Sequence, residues 1–304
     1  MEALVVGALL VLASRSPGEA ERPAAKDLPG VQIALPRSAE GEPMLPVLPV
    51  DIAGRSLRFA LDTGTSRTLV GARLAGQLGL VPVGRLRLDS AVGATQTGLC
   101  GQPSSLRIAG VLVELDCLGW LPDESVVAGG EEVDGLLGAD ALAGLDLWLD
   151  TRRGLARIAP AGSLSSWTDG ERIPLETVGR RPAIRAAPIG LGRREPATRL
   201  VLDSGCEDLI LFGERASSAR RASSARSRMG RLEAASASST VSMLSGGGVS
   251  VGGVHYAVAW TALLPDVTER AEDGLLALRV LEPVLIDLAG GVLVARSRLR
   301  APAG

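Results

Sequence analysis

Residues 58–70 read RFALDTGTSRTLV: an apolar strand runs into an acid, turns on a glycine and becomes apolar again within a few residues. A carboxylate is costly to desolvate, so Asp62, set between a hydrophobic strand and a tight turn, needs a partner or a task. Residues 198–211, TRLVLDSGCEDLIL, repeat the arrangement with Asp203. The two aspartates stand 141 positions apart, and theirs are the only D-[ST]-G tripeptides in the 304-residue chain. One such tripeptide is an ordinary turn, since Asp, Ser, Thr and Gly are all turn residues. Two of them with apolar flanks on both sides ask for a reason.

Further matches supply it. GRLRLDSA (84–91) answers to GRLEAASA (230–237), and SLRIAGVLVELDCLGWLPD (105–123) to GVSVGGVHYAVAWTALLPD (248–266). EEVDGLLGADAL (131–142) answers to RAEDGLLALRVL (270–281), and each is followed by a strand pair, LWLDTRRGLARI (147–158) and VLIDLAGGVLVA (284–295). The matches are collinear, with offsets between 137 and 146, so the chain contains an internal duplication. Short apolar runs separated by Gly, Pro and Ser make each copy all-β.

Composition narrows the chemistry. Hydrophobic residues make up 46% and aromatic ones only 2%, so the core is built from Val, Leu, Ile and Ala. A formal charge of -2 gives no electrostatic basis for a nucleic-acid partner. Arginines cluster over 215–231, but Ser and Ala separate them, and the run is expected to be a solvated, flexible loop. The single histidine, His255, lies in a strand-like run with no acidic cluster beside it, which argues against His-based catalysis. Three cysteines without a CxxC motif do not make the usual zinc site, and no metal or other cofactor is expected. Cys100 and Cys117 flank a predicted hairpin with its turn near Ala109 and Gly110; a disulfide and two buried thiols are equally consistent with that placement.

A duplication explains a buried carboxylate. If the copies pack about a pseudo-dyad with their D-[ST]-G turns facing, Asp62 and Asp203 meet, and two carboxyls in contact share one proton. The ionised member can then take a proton from water while the protonated member donates to a carbonyl oxygen.

In these residues the chain resembles the retropepsin-like aspartic proteases, in the tandem single-chain form of exported bacterial proteins. Each copy carries the two elements of that resemblance: the D-[ST]-G turn, and the later apolar-apolar-Gly element in VDGLLGADAL and EDGLLALRVL. The resemblance implies an acid protease fold of two homologous β-barrel lobes related by a pseudo-dyad, with the cleft between them. It implies that Asp62 and Asp203 are the catalytic pair, and that Thr63 and Ser204 cross-link the two active-site loops through their hydroxyls. Gly64 and Gly205 would allow the turns and present N–H groups to the carboxylates, with Thr65 completing the first loop. The flap of the family would fall on 88–99 and 233–244; neither stretch contains a tyrosine, the single one being Tyr256.

Cys206 stands where copy one has Thr65, Ala277 where it has Gly138, and the Arg/Ser-rich run 213–229 where it has GARLAGQLGL. The expected activity is aspartic endopeptidase, on a peptide or protein substrate, by a monomer that is an internal pseudo-dimer. The alternative is a non-catalytic peptide-binding module of the same fold. Residues 43–160 form lobe 1 and 172–304 lobe 2, with 161–171 a linker and 21–42 a linker or pro-segment. Residues 1–20 contain a short apolar run, read as a signal peptide or short N-terminal anchor, so the protein is expected to be exported, periplasmic or extracellular.

Overall fold

The structure is a computed structural model that describes residues 29–36, 45–89, 91–92, 95–123, 127–128, 131–167, 170–190, 197–222, 227–234 and 237–296. The proposed signal peptide or anchor, most of the 21–42 segment and the tips of both flap candidates lie outside these residues.

Each lobe is one strongly curled sheet, and nine strands run in the same order in both. In lobe 1 the order is Pro82–Asp89, Thr95–Gly101, Gly119–Leu121, Leu69–Gly71, Gly135–Leu137, Arg55–Leu61, Val47–Ile52, Ser104–Ile108, Val111–Leu115. In lobe 2 it is Ser227–Ala234, Ala237–Ser245, Trp260–Leu264, Leu209–Phe212, Gly274–Ala277, Thr198–Asp203, Arg181–Ile189, Gly248–Val251, Val254–Ala257. Lobe 2 adds one strand, Glu176–Val178, against Arg181–Ile189. These are the collinear matches of the sequence, now as hydrogen-bonded neighbours.

The strand patterns follow from where each faces. Val47–Ile52 alternates buried and exposed residues, as a strand with one wet face must. Gly135–Leu137 and Leu209–Phe212 are buried throughout because they run through the middle of a curled sheet. Gly135–Leu137 lies parallel to Arg55–Leu61 and antiparallel to Leu69–Gly71, and Gly274–Ala277 does the same between Thr198–Asp203 and Leu209–Phe212. The segment between the two flanking strands is the D-[ST]-G loop in each lobe, so this threading holds it from both sides.

A third sheet joins the lobes. Its order is Val31–Ala34, Leu155–Pro160, Leu145–Asp150, Val284–Asp287, Val292–Ala295, Glu171–Pro174. The ladder between Leu145–Asp150 and Val284–Asp287 is the covalent repeat closing on itself. Val31–Ala34 pairs with Leu155–Pro160, so part of the segment read as linker or pro-segment is an edge strand of the body. The polar 161–171 linker is likewise tied down. Asp146 accepts hydrogen bonds from the N–H groups of Gly162 (3.0 Å) and Leu164 (2.7 Å), and Leu164 and Trp167 bury against Trp148 and Leu285.

The Arg-rich run departs from expectation. Gly213–Ala222 is an α-helix, not a solvated loop. Ala216 and Ala219 sit three apart on its buried face, where side chains of adjacent turns align. Glu214 lies in its first turn and Arg220 and Arg221 in its last, the signs a helix dipole favours. Alternating Ser and Arg hid the narrow alanine stripe.

Candidate active site

The two D-[ST]-G loops meet tip to tip at the centre of the molecule, bound by four reciprocal hydrogen bonds. The Thr63 hydroxyl donates to the Leu202 carbonyl (2.8 Å) and accepts from the Ser204 N–H (2.9 Å). The Ser204 hydroxyl donates to the Leu61 carbonyl (2.7 Å) and accepts from the Thr63 N–H (3.0 Å). Each hydroxyl thus satisfies the backbone of the opposite lobe, where a strand has ended and water is excluded. Thr63 is fully buried; Ser204 is half-buried.

The cross-link sets the aspartates together. A methyl group placed on Gly205 would lie 3.3 Å from Asp203 Oδ1 and 3.7 Å from Asp62 Oδ1, so both carboxyls converge on one point. A methyl on Gly64 would collide with the Asp203 carboxyl itself. Neither glycine has a positive φ. Glycine is therefore needed at 64 for close approach of the opposite acid.

Backbone N–H groups of its own loop bond each acid. Asp62 Oδ1 accepts from the N–H groups of Gly64 (3.0 Å) and Thr65 (3.1 Å). Asp203 Oδ1 accepts from the Gly205 N–H (2.7 Å), and the Cys206 N–H also bonds this carboxyl. Thr65 acts through its backbone. The Cys206 thiol donates to the Asp208 carbonyl (3.4 Å). Burial raises both carboxyls above the ordinary range, with the two N–H groups opposing it at Asp62. At Asp203 the charge of Asp62 adds to burial, and the carboxyl is pushed up to about 7. Two carboxyls this close titrate as a pair.

Apolar surface flanks the site in both lobes. Ala60, Leu69, Leu121 and Leu136 form a cluster in lobe 1, with Leu86 and Leu88 of the hairpin Pro82–Asp89/Thr95–Gly101 against it. The matching cluster of lobe 2 includes Val201, Ile210, Ala262 and Leu275. Ala91 and Val92, from the outer end of the lobe 1 hairpin, pack on the lobe 2 cluster, so this flap candidate reaches across the cleft. Tyr256 is buried in the strand Val254–Ala257, and the exposed His255 sits on the same strand. Cys100 and Cys117 form a disulfide beside this hairpin, with Cα atoms 5.6 Å apart. Among the described residues no cluster of His, Cys, Asp and Glu is arranged to hold a metal ion.

Residues 48–141 match a family model described as "Aspartyl protease". The crystal structure of an aspartic proteinase from Irpex lacteus superposes with a TM-score of 0.53 over 90% of this chain and 100% of that one, at 13% sequence identity. Basic 7S globulin from soybean gives a TM-score of 0.49 over 88% of this chain and 95% of that one, at 10% identity. No curated protein matches the chain in sequence. The chain thus resembles the retropepsin-like aspartic proteases in sequence over most of its first lobe, and it has the aspartic proteinase fold along nearly its whole length.

Sequence reasoning missed one residue beside the pair. Arg181 opens the strand Arg181–Ile189 in lobe 2, and its charge reaches both aspartates. The register that places it there is a property of the folded sheet.

Proposed function

We propose that this protein is an aspartic endopeptidase in which Asp62 and Asp203 together activate water. The observation that carries the reading is the reciprocal bonding of Thr63 and Ser204, which holds two half-buried acids at one point. Asp62 is the anion that takes a proton from water. Asp203 holds the proton and donates it to the carbonyl oxygen of the scissile bond as the water oxygen bonds to the carbon. In the second step the C–N bond breaks, the amine leaves with the proton held by Asp62, and Asp203 recovers its proton from the diol. No covalent intermediate forms. Both acids come from one chain, so a monomer suffices. The Cys100–Cys117 bridge suits an oxidising compartment, in keeping with export.

The rate requires Asp62 ionised and Asp203 protonated. It should rise with pH as Asp62 loses its proton and fall again as pH passes about 7, where Asp203 loses its own. The test is hydrolysis of a mixed peptide library across pH by the wild type, Asp62→Asn and Asp203→Asn. A bell for the wild type and a loss of about 10³-fold or more in each variant, with unchanged circular dichroism, is the expected result. Turnover that survives either substitution overturns the reading. A wild type that binds peptides without cutting them indicates the non-catalytic module instead.

A further inference from the structure

The two lobes differ at the position facing each aspartate from the neighbouring strand. In lobe 1, Val47–Ile52 pairs with Arg55–Leu61 so that Val47 lies opposite Ala60. Two residues further along, Leu45 falls opposite Asp62, and it packs into the lobe 1 apolar cluster. In lobe 2, Ala183 lies opposite Val201. The same step brings Arg181 opposite Asp203. Ala183 and Val201 both belong to the lobe 2 apolar cluster, and side chains two apart on a strand share a face. The guanidinium of Arg181 is therefore on the Asp203 side of the sheet.

That guanidinium is held firmly. Arg181 Nη1 and Nη2 donate to Glu272 Oε1 (3.1 Å) and Oε2 (3.0 Å), and its Nε donates to the Val178 carbonyl (3.2 Å). Arg270 adds a second donor to Glu272 Oε1 (3.2 Å). Glu272 is 3% exposed at its side chain and Arg181 16%. Arg181 and Arg270 share this one carboxylate in a partly dehydrated place, where a charge acts over distance.

We propose that Arg181 is a positioning residue of the pair, supplying the fixed positive charge that steadies the single negative charge shared by Asp62 and Asp203. This rests on the endopeptidase reading above. At both aspartates the charge of Arg181 works against the larger, raising effect of burial. The other charged or titratable groups around the pair do not substitute for it. Cys206 is kept protonated by burial and by the charge of Asp203. Arg279, on the helix Leu278–Leu281, is engaged by the Glu207 carbonyl and lies 4.0 Å from Asp208. Arg67, on the lobe 1 loop, lies 4.0 Å from both Asp116 and Asp140.

Removing a positive charge makes both deprotonations of the pair harder, so both limbs of the bell move to higher pH. In Arg181→Met, hydrolysis of a library peptide cut by the wild type should drop about three- to tenfold on the acid side and rise on the alkaline side. Arg181→Lys keeps the charge and should bring both limbs back. In Arg181→Met the Glu272 carboxylate keeps Arg270 as its partner, and Arg181→Gln, which keeps hydrogen-bond donors without the charge, guards against misfolding. Carbon-13 NMR of labelled aspartate carboxyls follows the same titration without substrate. A coupled titration whose limbs stay put in Arg181→Met overturns the role of Arg181 and leaves the catalytic reading intact. A uniform loss at every pH in Arg181→Met and Arg181→Gln also overturns it, because it marks Arg181 as structural only. Two aspartates that do not titrate as a pair in the wild type defeat the catalytic reading itself.

Discussion

The D-[ST]-G loops of the two lobes share a backbone path and differ in what supports them. In lobe 1 the Thr68 hydroxyl donates to Asp140 Oδ1 (2.7 Å) and accepts from the Gly138 N–H (3.2 Å). Asp140 is buried, which raises its pKa, and Arg67 lies 4.0 Å from it. At the matching places lobe 2 has Leu209, Ala277, Arg279 and Asp208. The ion pair recurs with its signs exchanged: Asp208 occupies the place of Arg67, and Arg279, 4.0 Å away, that of Asp140. The Ala277 N–H bonds the Asp208 carbonyl (2.8 Å), and its methyl is buried. One loop geometry is thus held by a polar buttress in one copy and a mostly apolar one in the other. Duplication preserves the backbone requirement and leaves the means free.

The hydroxyl cross-link is where the two lobes depend on each other most. Thr63→Ala leaves the Ser204 N–H and the Leu202 carbonyl without their partner in a dry interior, and should cost about 3 kcal/mol in chemical denaturation. Ser204→Ala should cost less because Ser204 is half-buried, whereas Thr63→Ser should restore most of the loss. Equal costs at the two positions would mean that the loops are supported alike.

Gly138 and Ala277 probe the buttress next. A methyl on Gly138 would overlap the Arg67 carbonyl, so Gly138→Ala should cost about 2 kcal/mol in the same measurement. Ala277→Gly removes a buried methyl and adds backbone freedom, for about 1 kcal/mol. A neutral Gly138→Ala would show that the lobe 1 loop can relax as the lobe 2 loop has done.

The smallest effect is expected at Cys206. Its thiol faces the Asp208 carbonyl, so Cys206→Ser gives Asp203 no new donor. Stability should change by less than about 1 kcal/mol, and the pH limbs should stay in place. A displaced acid limb in a pH–rate measurement would mean that the side chain at 206 reaches the carboxyl after all.

Much of the site was legible in sequence because its rules are local. An acid after an apolar strand, a hydroxyl next to it and a glycine two residues on form a unit whose backbone bonds span only a few positions. Its recurrence 141 residues later marks a duplication without any knowledge of packing. The helix Gly213–Ala222 was not legible, because two buried alanines among serines and arginines carry too weak an apolar signal until a sheet covers them. The edge strand Val31–Ala34 escaped for a related reason: its ladder partner lies more than a hundred residues away.

By itself the sequence determined the twofold repeat, the succession of matching strand segments along each copy and which two acids are equivalent. The tertiary structure alone decided that Thr63 and Ser204 bond to each other's loops, that Gly64 is required by the opposite aspartate, and that Arg181 lies just beyond the Ala183–Val201 pair where lobe 1 has Leu45 just beyond Val47–Ala60. Pattern and turn chemistry act between near neighbours in the chain. Register between distant strands, and the electric field it creates, exist only once the core has closed.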